Sequence, residues 1–194
     1  INNLSTVMVD GGKARDLTVG LGSGAYRRPG DPANMFYAVS DRGPNFVCGD
    51  VETVLGVSED AVCHGNKVRV YPTPDYSPSI YTIFLGDNGT FDIKDVITIK
   101  DQNGIPLTGL TNKLTVAKTE KPVDANGNAL EQSVSSIDAE GIIRLTDGSY
   151  WIGEENGPSV LHVAADGTVI ERLVPAGSEK DFEGAAYKVS GGLP

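Results

Sequence analysis

The chain has 194 residues, 39% of them apolar and 22% charged, with a formal net charge of −10 and a pI of about 4.6. That length suffices for one domain with a buried core, and the acidic balance argues against a nucleic-acid partner, because phosphate backbones are held by clustered Lys and Arg. No stretch approaches the ~18 apolar residues of a membrane-spanning helix, and acidic surfaces favour solubility and cation binding.

In chain order, Ile1-Asn2-Asn3 opens without Met and without a leader, as expected of a processed N-terminus. Alternating apolar residues predict strands at Met35–Ser40, Lys67–Tyr71, Ile80–Leu85, Phe91–Lys100, Lys113–Thr119, Tyr150–Glu154, Val160–Ala164 and Thr168–Val174. Helical periodicity is scarce. Asp87-Asn88-Gly89, Asp147-Gly148 and Asp166-Gly167 are hairpin signals, since Asn, Asp and Gly tolerate positive φ. The stretches from Val47 to Asn66 and from Glu120 to Ser136 read as long loops. Cys48 and Cys63 share the first of them, and could close a disulfide loop in an oxidising compartment or stand as separate thiols. The 24 glycines and 11 prolines suit many short strands and turns. Asn3-Leu4-Ser5 and Asn88-Gly89-Thr90 fit the short glycosylation pattern.

An internal repeat is the most informative feature. Phe36-Tyr37-Ala38-Val39-Ser40-Asp41-Arg42-Gly43-Pro44 aligns with Tyr150-Trp151-Ile152-Gly153-Glu154-Glu155-Asn156-Gly157-Pro158. Each copy starts on an aromatic pair, carries an acidic residue (Asp41, Glu155) and closes on Gly-Pro. Upstream, Gly22-Ser23-Gly24-Ala25-Tyr26 precedes the first copy much as Ala139-Glu140-Gly141-Ile142-Ile143 precedes the second, and a third opening begins at Phe182-Glu183-Gly184. Repeated units of about 40 residues built from strands are the mark of propeller blades. The expected fold is therefore all-β, a β-propeller portion formed by residues 1–194 as one incomplete domain. Strands between Lys67 and Thr119 would supply an intervening blade, and a further segment or second chain the remaining ones. A complete β-sandwich is the competing architecture.

The run Asp138-Ala139-Glu140-Gly141, Asp147-Gly148-Ser149-Tyr150-Trp151, Glu154-Glu155-Asn156-Gly157-Pro158, Asp166-Gly167 and Arg172 to Pro175 resembles the phytase-like family described by esterase-like activity. Gly24-Ala25-Tyr26 and the segment from Tyr37 to Pro44 look like that family's opening. The resemblance covers roughly residues 20–46 and 124–188, with Ala139 in place of the usual Pro and Asn156 in place of the usual Tyr. It implies an exported, propeller-like hydrolase.

Familiar nucleophile systems are absent from the sequence. There is no Gly-x-Ser-x-Gly elbow and no His-Glu-x-x-His. Of the two histidines, His64 and His162, the latter reads as structural. The Gly20-Leu21-Gly22 turn lacks the context of a dinucleotide site. Carboxylates remain. In a propeller the first strand of each blade lines the central channel, so Glu140, Glu155 and Glu183 would converge there as hard oxygen ligands, most suited to Ca²⁺. Such an ion would polarise a phosphoryl or carbonyl oxygen or acidify a bound water. Asp41 would join it, and Arg42 would hold an anionic substrate. Asp138, Asp147 and Asp166 read as turn-capping residues, and the oxygen-rich turn Val123–Asn128 as surface. The function so read is a secreted or periplasmic, Ca²⁺-dependent hydrolase of phosphate or carboxylic esters, with Asp41, Arg42, Glu140 and Glu155 catalytic. The alternatives are a non-catalytic ligand- or partner-binding propeller with structural carboxylates, and a propeller lactonase.

Overall fold

A computed structural model describes residues 3–9, 11–115 and 119–193. Ile1, Asn2 and Pro194, on which the reading of the chain ends rests, lie outside the described residues, as do residues 116–118 of the strand expected at Lys113–Thr119. Residues 113–115 of that segment are irregular.

The architecture is all-β. A hairpin of β1 (Asn3–Val7) and β2 (Arg15–Thr18) precedes an antiparallel sheet of β3 (Leu21–Tyr26) and β4 (Met35–Ser40). A long excursion follows: β5 (Phe46–Val47), helices α1 (Val51–Leu55) and α2 (Glu59–Cys63), then β6 (Arg69–Val70). The chain returns to the same sheet with β7 (Ser79–Leu85) and β8 (Phe91–Thr98), giving the order β3-β4-β7-β8. β9 (Pro122–Val123) then pairs in parallel with β6, closing a three-stranded sheet β5-β6-β9. The second large sheet is β10 (Ala139–Arg144), β11 (Tyr150–Glu154), β12 (Ser159–Val163) and β13 (Val169–Pro175), antiparallel in sequence order. β14 (Lys188–Leu193) lies parallel to β13 at its edge.

The long strands between the first two openings, β7 and β8, do not form a blade of their own. β7 and β8 complete the sheet begun by β3 and β4, so the first unit is one four-stranded sheet interrupted by an insertion. The insertion packs with β9 on a satellite core, in which Val51, Leu55, Val62, Val70 and Val123 are buried. Part of the expected loop from Val47 to Asn66 is helical. Each helix is five residues long and ends on a left-handed residue, Gly56 or His64. Pieces so short carry no readable periodicity and take their stability from burial. Cys48 and Cys63 are joined as a disulfide across these helices.

The two large sheets meet face to face. Tyr37, Val39 and Ile80 of the first share one core with Ile142, Tyr150, Ile152, Leu161 and Val163 of the second. Tyr37 and Tyr150 pack edge to face at 6.0 Å, and the Arg144 guanidinium lies over both rings, 4.6 and 5.6 Å from their centroids. The first strands approach closely at two glycines: a side chain on Gly24 would start 2.8 Å from the Cα of Gly141. Because side chains alternate along a strand, Phe36 and Ala38 face away from this core, where they line an apolar depression with Ile83 and Leu85. Their repeat equivalents, Tyr150 and Ile152, face into it. The two sheets thus use opposite faces to make one contact.

Candidate active site

The site forms where β4, β10 and β11 reach the same end of the two sheets. β4 ends at Ser40, and the next residues are Asp41 and Arg42. Two glycines shape this turn. Gly43 has φ +94°, and a Cβ there would overlap the ring of Tyr76; a Cβ on Gly109 would overlap the carbonyl oxygen of Arg42. Asp41 accepts a hydrogen bond from the Arg42 backbone N–H.

The Arg42 guanidinium is largely buried and surrounded by acceptors. Nε lies 3.2 Å from Asp138 Oδ2, and Nη1 lies 3.0 Å from Glu120 Oε2. Nη1 also donates to the Tyr71 hydroxyl at 3.2 Å, which in turn donates to Glu120 at 3.3 Å. Glu120 sits beside β9, and Tyr71 just follows β6, so the parallel pairing of those strands brings them together. Arg69 stands 3.8 Å from Glu120 and donates to Asn45 Oδ1 at 2.6 Å.

Asp138 precedes β10 and is buried. Glu140 is the extra residue of a β-bulge, because Ala139 pairs with Glu154 while Gly141 pairs with Gly153. A bulge re-aims the side chain it carries. The first sheet bulges at the matching place, between Leu21 and Gly24 of β3. Glu155 follows β11 and is tied to Asp138 by its backbone N–H, which donates to the Asp138 carbonyl at 3.0 Å.

The result is an acidic cluster: carboxylate oxygens of Asp138, Glu140 and Glu155 all lie within 4.8 Å of one another. Burial is the first cause that raises the proton affinities of Asp138 and Glu140. Burial pushes Asp138 up to about 7, Arg42 pulls against it, and the Asp41 charge adds to the rise. Glu140 is raised by its partial burial and then by Glu155. Carboxylates so crowded are relieved by protons or by a hard cation.

Of the expected site residues, Glu140 and Glu155 stand together, and the charge of Asp41 acts on both Asp138 and Glu140. Glu183 is exposed, follows the 3-10 turn Glu179–Phe182, and is not part of the group. The strand that follows it, β14, lies against β13. Asp138, read as a turn cap, is instead the buried partner of Arg42. Sequence reasoning also missed Glu120 and Tyr71, which carry no local motif and arrive through the pairing of β6 with β9. The remaining turn residues do cap turns. Asp147 accepts from Ser149 N–H at 3.0 Å, Asp166 from Thr168 N–H at 3.0 Å, and Asp124 from Asn126 and Asn128 N–H at 2.8 and 2.9 Å. His162 stacks on Trp151 at 4.6 Å and meets Ser149 Oγ at 3.0 Å, a structural placement.

Glu154, the immediate neighbour of Glu155, behaves differently. Its Oε1 accepts from the N–H of Asn156 at 3.0 Å and of Asp138 at 3.3 Å, and its Oε2 from Gly157 N–H at 2.7 Å. These bonds hold the strand-end turn together.

A family model described as "Phytase-like: Esterase-like activity of phytase" matches residues 18–193. An "Uncharacterized secreted protein" of Arthroderma benhamiae is 24% identical over 178 residues, 85% of this chain. The chain spans 32% of that protein's length. No solved structure matches.

Proposed function

The chain belongs to the phytase-like family described by esterase-like activity, and from that premise we propose that it is an exported, divalent-cation-dependent hydrolase of phosphate or carboxylic esters. One observation carries the reading: Asp138, Glu140 and Glu155 offer oxygens within 4.8 Å of one another, beside a guanidinium held 3.2 Å from Asp138. Three carboxylates in that space suit a hard cation with oxygen ligands, and Ca²⁺ is the ion we assign. Bound there, it would supply Lewis-acid polarisation of a phosphoryl or carbonyl oxygen. Arg42 provides a fixed positive charge for an anionic ester oxygen. Its Nε and Nη1 are engaged, which holds the guanidinium plane still, while Nη2 makes no hydrogen bond among the described residues. Asp41 sets the Arg42 backbone, and Glu120 with Tyr71 holds the other side of the guanidinium. Glu183 belongs to this ligand set only if the strand after it moves from the edge of β13.

Export is supported by the Cys48–Cys63 disulfide, which persists in oxidising compartments, and by the printed description of the Arthroderma benhamiae relative. Among the described residues no helix is long and apolar enough to cross a membrane. The propeller is supported by the packing. Repeat-equivalent residues facing opposite ways describe sheets stacked in one rotational sense, as blades are, whereas a sandwich related by a dyad would present equivalent faces.

A second reading, a non-catalytic binding propeller, has its own supporting observation in Glu154, a carboxylate satisfied by backbone amides. Glu140 and Glu155 are exposed and are not held that way. A lactonase would share the cation but not need the anion contact of Arg42. The deciding experiment is Ca²⁺ titration followed by thermal melting and by hydrolysis of aryl phosphate, aryl ester and lactone substrates. Stabilisation by Ca²⁺, with turnover lost in Glu140→Gln, supports the hydrolase. Stabilisation without turnover moves the assignment to the binding protein, and the absence of any Ca²⁺ effect removes the cation site.

A further inference from the structure

A second cavity, of 390 Å³, opens beside the β7–β8 end of the first sheet, in the size range of small-molecule sites. Nine residues line it, and seven of them carry a hydroxyl group, from Ser, Thr or Tyr. The other two are Asp75, exposed, and Pro106. Among the described residues no Lys, Arg or His lines it. A phosphate or carboxylate would find no cation there, and an apolar ligand would strand the hydroxyls.

Three of the lining hydroxyl oxygens, Ser5 Oγ, Thr73 Oγ1 and Tyr76 Oη, are buried and make no hydrogen bond among the described residues. Tyr76 is 9% exposed, and its Oη lies near the hydroxyls of Ser40 and Tyr81 without hydrogen-bond geometry to either. Buried hydroxyls normally have partners, and leaving one without is destabilising. Three in one cavity, unpaired among the described residues, leave hydrogen bonds for a ligand to supply. Tyr76 and Tyr81 add ring surface, and Asp75 adds a carboxylate able to accept two hydroxyl donors. Hydroxyl donors and acceptors, aromatic carbon and one carboxylate, with no positive charge, are complementary to a neutral ring bearing several hydroxyl groups.

We propose that this cavity is a binding site for a neutral polyhydroxylated ligand, a monosaccharide unit, separate from the carboxylate cluster. It stands independently of the hydrolase reading. It also reaches the site physically, since Gly43, two residues after Asp41, packs directly on the Tyr76 ring.

The experiment is calorimetric titration of the protein with D-glucose, D-galactose and D-xylose, with sulfate as the anionic control. Variants are Tyr76→Phe, which keeps the ring and removes Oη, Thr73→Val, and Asp166→Asn as a control outside the cavity; thermal melting checks each fold. Expected is saturable binding of at least one sugar in the millimolar range, weakened about tenfold by Tyr76→Phe, a change of about 1.4 kcal/mol, and similarly by Thr73→Val, with Asp166→Asn unchanged. Silence with all three sugars, meaning that water alone meets these hydroxyls, overturns the proposal. So does binding of sulfate in their place, or sugar binding that both folded cavity variants retain. Ca²⁺ stabilisation measured alongside reports on the carboxylate cluster alone, so failure of one assignment is distinguishable from failure of the other.

Discussion

The two large sheets end the same aromatic strand in different ways. After β11 the chain turns at once: Glu154 gathers the N–H groups of Asn156 and Gly157, and β12 begins at Ser159. After β4 the chain leaves at Asp41 and comes back only at Ser79, having built two helices and a disulfide on the way. The short turn uses its first acidic residue to stabilise itself. The long one leaves Asp41 and Arg42 facing the second sheet and brings Tyr71, with Glu120 arriving beside β9, to fix the arginine. Two copies of one motif thus divide the work, one supplying carboxylates on a tight frame and the other a cation supported by inserted chain.

That division is open to direct attack. The largest effect is expected in the frame: Leu161→Ala in β12, fully buried between the sheets, should cost about 2–5 kcal/mol in denaturant unfolding. Opening the Cys48–Cys63 bridge by Cys63→Ser should cost about 3 kcal/mol for a loop of this size. Because the insertion packs on a core separate from that between the large sheets, hydrogen exchange should quicken there first and spare β11 and β12. Next in size, Glu154→Gln should lose about 1–3 kcal/mol by weakening a half-buried multiple acceptor, with Ca²⁺ stabilisation largely kept. A Glu154→Gln protein as stable as the parent would contradict the structural role.

The pH dependence comes next. Asp138 ionises near 7 in the folded chain and near 3.8 unfolded. Between those values the native state holds more protons, so without cation stability should fall as pH rises from about 4 to about 7. A cation must displace that proton, so its apparent affinity should drop about tenfold per pH unit below 7. Calorimetry in buffers of different ionisation heat would detect the released proton. The smallest stability effect belongs to Glu155→Gln, within about 0.5 kcal/mol, because this exposed carboxylate stabilises no turn. Its cation affinity should fall at least tenfold. The adjacent pair Glu154 and Glu155 therefore tests the comparison within one dipeptide.

Much of this was legible in the sequence because strand alternation and turn chemistry are local. Asp147, Asp166 and Asp124 cap the turns their glycines announce, and β4 and β11 stand where the aromatic pairs put them. Glu140 and Glu155 were visible through the repeat. What escaped notice depends on contacts distant in the chain. The intervening strands β7 and β8 joined the first sheet because pairing with β4 was available across an insertion that no local signal delimits. The five-residue helices α1 and α2 are too short for periodicity. Asp138 looked like any Asp near a glycine; only the burial created by the opposing sheet, and Arg42 at 3.2 Å, make it a site residue. Glu120 and Tyr71 meet through a two-residue parallel bridge between segments more than fifty positions apart.

The opposed faces of the two sheets carry a last consequence. Each sheet has a front and a back: Tyr37 and Val39 on one side of β4, Phe36 and Ala38 on the other. The front of the first fits the back of the second, and no twofold axis relates them. The pair is therefore directional. One end presents the apolar depression around Phe36 and Ile83, the other the stacked Trp151 and His162. Two copies meeting through these surfaces would join head to tail, an association that no symmetric dimer terminates and that stops only when its rotation closes a ring.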